Sequence, residues 1–289
     1  PIGRVHIYPP FFHIILASFI KLGFGPVLLA KISEAFIPWV FIFTVWKVIR
    51  KLYGERIAFF SLLFFLTSHS FYLSLLNHIP ATIALIFSFL VFSKVYDREY
   101  TKAAVLLSLV FYTHIGISLY LTAALIIYGI FVRFESNKIF RVLLVGIIFS
   151  LPMIIKELSS LKYISALGIK MNESYLFQIK PVEIVLALVG IFMAFKQRSS
   201  KLLFLSLGIA SLSLIFYPYR FFSAQGYLAV ILLSALAVDY FYSRFNFKKF
   251  IIIFCALLIL ISPTLALEKQ GESGKTGIGV SFFNSAFMA

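Results

Sequence analysis

The five histidines, at positions 6, 13, 69, 78 and 114, are the residues of this chain best suited to chemistry near neutral pH. An imidazole can ligate a metal, hydrogen-bond a phosphate or carry a proton. Arg220 stands in "FYPYRFFSAQG" between Tyr217 and Tyr219, and a guanidinium can grip a phosphate in two places while the tyrosines stack or hydrogen-bond around it. Tyr8 precedes a Pro-Pro pair in "IYPPFFH", and Lys31 and Glu34 stand three residues apart. Glu34, a possible proton acceptor, is one of few acids near this group. Each feature has a structural alternative: interhelical or interfacial histidines, an arginine snorkelling beside an aromatic belt, and a Lys31–Glu34 pair that neutralises itself. Glu183 follows Pro181 at a helix start, where a carboxylate suits the positive dipole end. Asp239 lies among Lys and Arg and answers their charge.

The elements that position these residues are helices in a membrane. Hydrophobic residues make up 61% of the 289 and charged residues only 13%, and the mean hydropathy is +1.00, outside the make-up of a soluble domain. The net charge of +15 is scattered in small groups between apolar runs rather than gathered on one face, which excludes nucleic acid as a partner. Cys255 is the sole cysteine, so neither an intrachain disulfide nor a thiolate zinc site can be drawn. The spans hold no chain of acids for a proton pump, no polar stripe for a channel, and no matched pair of interrupted helices for an inverted-repeat transporter. No paired-acid or Asp-x-Asp site stands in the outer segments.

Breaking the chain at its charges, prolines and glycines leaves ten expected spans, near 27–49, 57–76, 80–96, 102–117, 118–132, 140–155, 181–196, 201–217, 226–243 and 249–267. The turn between the fourth and fifth has only "THIGIS" to make it. Alternate ends carry "KVIRKLYGER", "KVYDREYTK", "VRFESNKIFR", "KQRSSK" and "YSRFNFKK", together sixteen of the twenty-six Lys and Arg residues. Short basic loops stay cytoplasmic. All five histidines, Tyr8 and Arg220 then fall on the opposite side. "FFHIILASFIKLG" reads as a short helix on the outer interface, started by Pro9 and Pro10. The expected organisation is an outer juxtamembrane segment at 1–26, a bundle at 27–267 and a non-cytoplasmic Gly/Ser/Lys-containing tail at 268–289, the last read either as a flexible end or as the start of a further outer domain. Asn172-Glu-Ser is an acceptor pattern for glycosylation on that side. The chain opens on Pro1 without a leader, as expected of a piece of a longer protein.

Four stretches taken in order, "IYPPFFHIILASFIKLGFG", "PVLLAKISEAF", "RKLYGERIAFFSLLFFLTS" and "LLNHIPATIALIFSFL", resemble the membrane glycosyltransferases of the GT-C type, which include the protein O-mannosyltransferases and the aminoarabinose lipid A transferases. The likeness covers about residues 7–130, and "YPYRFFSAQGYLAVILLSALA" is similar to that family's late Arg-bearing outer turn. The resemblance implies an all-α polytopic bundle with an outer juxtamembrane helix. It also implies transfer of a sugar from a polyprenyl-phosphate donor to a sugar, lipid or protein acceptor on the non-cytoplasmic face, in the plasma membrane of a prokaryote.

By the same resemblance Arg220 would hold the lipid phosphate, and Tyr8 and His13 would shape the cavity floor. Tyr217, Tyr219, His78 and His114 complete the substrate-binding set. The family's catalytic acid lies upstream of the Pro-Pro segment, beyond the start of this chain, which leaves Glu34 as the acid to weigh here. Some members carry a further acid where this chain has Asn77-His78, so His78 becomes the candidate ligand if a divalent metal is used. The rival expectation is a non-enzymatic membrane protein, either a lipid or solute transporter or a scaffold.

Overall fold

A computed structural model describes residues 9–68, 79–132, 135–160, 181–196, 202–216 and 225–244. Among these the chain is wholly helical: α1 (Phe11–Lys21), α2 (Pro26–Tyr53), α3 (Glu55–Thr67), α4 (Ile79–Tyr96), α5 (Tyr100–Thr113), α6 (Ile115–Phe131), α7 (Ser136–Ser160), α8 (Pro181–Lys196), α9 (Leu202–Leu212) with a 3-10 turn at Ser213–Phe216, and α10 (Gln225–Arg244). Four helices, Pro26–Tyr53, Ile79–Tyr96, Ser136–Ser159 and Gly226–Arg244, are long and apolar enough to cross a membrane. The others are shorter. The tenth expected span, 249–267, and the tail lie outside the described residues.

The helices start and stop where backbone chemistry dictates. The first helix begins directly after Pro10, whose carbonyl accepts the Ile14 N–H at 2.9 Å. The α2–α3 hairpin turns on a single residue, Gly54, at φ 92° and ψ 172°, a region closed to side-chain-bearing residues. The break expected inside "THIGIS" falls at His114 rather than at 117/118. That residue is extended, at φ −161° and ψ 109°, and its imidazole caps α6 by accepting the Ile117 N–H. The basic stretch taken for a loop at 132–141 is helical from Ser136, so Lys138 and Arg141 ride on the first turns of α7.

Packing closes a ring of helices in the order α2, α4, α5, α7, α6, α9, α10 and α3, with α8 laid against α10 and α9. Aromatic edges knit α2, α3 and α4, where Phe41 meets Phe65 at 5.8 Å and Phe89 at 6.0 Å between ring centroids, a favoured geometry. The Tyr120 hydroxyl of α6 donates to the Leu207 carbonyl of α9 at 3.1 Å. Several buried serines return their hydroxyls to their own helices, as Ser88 does to Ala84 and Ser150 to Gly146, which satisfies them without water.

The outside is as telling as the core. Ile32, Phe36, Trp39 and Phe43 form an exposed stripe along α2, with Trp39 71% accessible, and Val185, Leu188 and Phe192 form another along α8. Contiguous exposed apolar surface on this scale is an aggregation liability in water. A bilayer is the solvent that suits it.

Ion pairs sort the charge. Between described residues they all fall at one end of the bundle. Arg50 joins Glu55 across the hairpin at 3.0 Å, Lys51 reaches Asp97 in the α4–α5 turn at 2.5 Å, Arg98 reaches Glu135 ahead of α7 at 2.9 Å, and Arg56 reaches Asp239 of α10 at 3.1 Å. Three of the five basic stretches are thereby brought to a common end, and "YSRFNFKK" joins them through Tyr242, whose ring lies 5.8 Å from the Arg56 guanidinium. Most of these pairs are well exposed and add little stability singly. Hydrogen bonds from Lys102, then Lys94, hold the Glu99 carboxyl below the ordinary carboxylate range. A carboxyl lowered on folding contributes stability above its unfolded pKa and loses it as pH falls through the folded value, so protonating Glu99 weakens its links to Lys94 and Lys102.

An added side chain would break two helix approaches: α8 on α10, where a Cβ on Gly190 would run into the Leu233 carbonyl group, and α5 on α7. A Cβ on Gly146 would stand 2.7 Å from Leu107 Cδ2 and 3.2 Å from the Ala104 carbonyl, whereas one on Gly129 would meet nothing nearer than Ile139 Cγ2 at 3.4 Å. Gly146→Val should therefore cost about 1–3 kcal/mol by overpacking, and Gly129→Ala, where the methyl has room, should be neutral or stabilise by up to about 1 kcal/mol. Thermal unfolding of the two variants in detergent checks the difference.

Candidate functional site at the end opposite the basic loops

A helix rises about 1.5 Å per residue, and this places the remaining polar groups. Tyr227 precedes the paired Asp239 by twelve residues, about 18 Å along α10. His114 ends α5, and Glu157 lies near the last turn of α7, so both stand away from the basic turns that begin those helices. The amino end of α2, which carries Lys31 and Glu34, is likewise far from the Gly54 hairpin.

His114 is half-buried. The Ile117 N–H donates to its Nδ1 at 3.3 Å, so in the neutral ring Nε2 carries the proton and donates. That polarity suits hydrogen bonding to an anionic oxygen more than metal ligation. Helix α1 is eleven residues long, about 16 Å, and too short to cross a bilayer. It has no fully buried residue. Its Phe11 ring meets Phe87 of α4 edge-on at 5.7 Å, and His13 lies on the exposed side with its ring 6.3 Å from that of Phe12.

Lys31 and Glu34 are both exposed, and no ion pair joins them. The expected self-neutralised pair is thus not formed, because both side chains extend from an exposed helix face instead of being pressed together by packing. Glu34 keeps its carboxylate for other partners. Asp239 answers Arg56, as its neighbourhood suggested.

Two acids carry more than the sequence announced. Glu183 stands in the first turn of α8, as expected, yet it is 1% exposed and accepts a hydrogen bond from the Tyr227 hydroxyl across the helix interface. Ser234 donates to the Glu183 carbonyl at 2.8 Å, so the residue ties α8 to α10 through side chain and backbone together. Glu157 is 6% exposed, and its Oε1 meets no hydrogen-bond partner among the described residues. Neither acid could have been placed from spacing, since Tyr227 comes from another helix and Glu157 Oε1 meets no partner among the described residues.

Tyr8, His78, Tyr217, Tyr219 and Arg220, with His6 and His69, lie outside the described residues. No group of three or more His, Cys, Asp or Glu side chains close enough to hold a metal occurs among the described residues, so His13, His114, Glu34 and Glu157 are separate groups sharing one end of the bundle. Comparison with protein-family models, curated proteins and solved structures finds no match.

The Glu183–Tyr227 contact makes a measurable claim. Taking away the partner of a buried carboxyl leaves a polar group desolvated and costs about 1–3 kcal/mol, against about 1 kcal/mol for a single bond to a backbone carbonyl. Tyr227→Phe should therefore destabilise the protein in detergent more than Tyr120→Phe, which loses only its bond to the Leu207 carbonyl. Equal losses would show that the bond to Glu183 contributes no more than one to a backbone carbonyl.

Proposed function

We propose that this chain forms the membrane core of a GT-C-like glycosyltransferase with about ten spans, moving a sugar from a polyprenyl-phosphate donor to an acceptor at the end opposite the basic loops. The observation that carries the reading is the sorting of charge between the two ends. Basic turns are ion-paired together at one end, and His114 and Glu34 stand at the other, the sidedness on which the four-stretch resemblance depends. Lys/Arg bias then makes the paired end cytoplasmic and the other end the outer, reactive face.

In this reading Arg220 grips the donor phosphate bidentately, flanked by Tyr217 and Tyr219, and stabilises the charge left as the sugar departs. His114 donates through Nε2 to an anionic oxygen. Tyr8 and His13 take the family's cavity-floor role, and His78 belongs to the substrate-binding set. A carboxylate must take the acceptor proton. That role belongs to an acid upstream of the Pro-Pro segment, with Glu34 the candidate inside this chain. If a divalent metal takes part, His78 is its candidate ligand. The donor's isoprenoid lies along the apolar helix faces.

A second reading, a transporter or scaffold without catalysis, is favoured by the Asn77-His78 turn and by the single exposed acid, Glu34, among the described residues at the reactive end. Arg220→Ala separates the two. For the transferase, sugar transfer from polyprenyl-phosphate donors in membranes of the expressed full-length protein should fall by roughly 100-fold or more, with insertion and melting temperature unchanged. Transfer at the parent rate by a well-folded variant would remove the phosphate assignment.

A further inference from the structure

At the ion-paired end, an open cleft of about 780 Å³ lies between the start of α5 and the first turns of α7. Arg98, Lys102, Lys138 and Arg141 line it, with Glu99 as the one carboxylate among its lining residues. Two of these cations are committed, Arg98 to Glu135 at 2.9 Å and Lys102 to Glu99. Lys138 sits over the Tyr100 ring at 5.6 Å from its centroid, and neither it nor Arg141 has a carboxylate partner among the described residues. Both are exposed on α7. The cleft therefore holds an excess of positive charge with two side chains available to an anion.

Its floor is apolar. Ala104, Val142, Val145 and Phe149 line it, and the exposed Leu144, Ile148 and Ile155 continue the outward face of α7 toward the far end of the bundle. A soluble phosphate compound needs the cations but gains nothing from that track. A lipid uses both, its phosphate between Lys138 and Arg141 and its chains along Leu144 and Ile148. Basic clefts between membrane helices on the cytoplasmic side are suited to anionic headgroups, and the cytoplasmic leaflet is where such lipids concentrate.

We propose that the cleft between α5 and α7 binds an anionic phospholipid of the cytoplasmic leaflet. The site is distinct from the proposed transfer site at the opposite end and stands whether or not that reading holds.

The test uses the full chain purified in detergent and titrated with phosphatidylglycerol or phosphatidylcholine of equal chain length, with bound lipid counted by native mass spectrometry. The parent should prefer phosphatidylglycerol roughly 10-fold or more, and the double variant Lys138→Gln/Arg141→Gln should lose that preference while keeping its melting temperature. Leu144→Gln/Ile148→Gln should weaken the long-chain lipid and leave a short-chain phosphatidylglycerol unaffected. Equal retention of both headgroups, or an unchanged preference in the Lys138/Arg141 variant, would overturn the proposal. Displacement of the lipid by millimolar inorganic phosphate would also overturn it, and would assign the cleft to a soluble anion.

Discussion

Charge is expelled from the middle of an apolar helix bundle, and the organisation of this protein follows from where its charges go. The cost of placing an ion in hydrocarbon confines Lys and Arg to the helix ends. Once there, they find one another's counter-charges. The Lys51–Asp97, Arg98–Glu135 and Arg56–Asp239 pairs join turns far apart in sequence, so that hairpins drawn separately from hydropathy share one polar end. Each pair is weak alone, and their collective message is geometric. The opposite end is left with few charges and with the imidazoles and carboxyls from which a reactive centre can be built.

Between these ends the bundle is held by fit rather than by polar bonding. Lipid tails are as apolar as leucine, so helix association rests on close packing and a few internal hydrogen bonds. Gly146 against Leu107, the Phe41–Phe65–Phe89 edges and the Tyr120–Leu207 bond are of this kind. Glu183 is the exception, a carboxyl inside the α8–α10 interface whose cost is offset by Tyr227. Buried polar groups of this sort are characteristically functional or specifying in membrane proteins.

Much of this was legible in the sequence, because hydropathy and charge act on long windows. Helices α2, α4, α8 and α10 lie within a few residues of the runs read at 27–49, 80–96, 181–196 and 226–243. Boundaries set by a single side chain were less visible. His114 ends one helix and caps the next, a role that depends on one ring nitrogen, and the start of α7 at Ser136 runs through charges that look like a loop. Contacts between helices distant in sequence could not be read at all. The partners of Glu183, the absence of a Lys31–Glu34 pair, and the meeting of Lys102 with Lys138 and Arg141 around one cleft are products of packing order.

The central claim is that the two ends face opposite sides of one membrane, and site-directed labelling tests it most directly. With Cys255 replaced by Ser, single cysteines at Arg98 and Asn137 in the ion-paired turns, and at Lys31 and His13 near the other end, would be probed with an impermeant maleimide in right-side-out and inverted vesicles. The account predicts labelling of Arg98→Cys and Asn137→Cys only in inverted vesicles, and of Lys31→Cys and His13→Cys only in right-side-out ones. Labelling of both sets from the same side would contradict it.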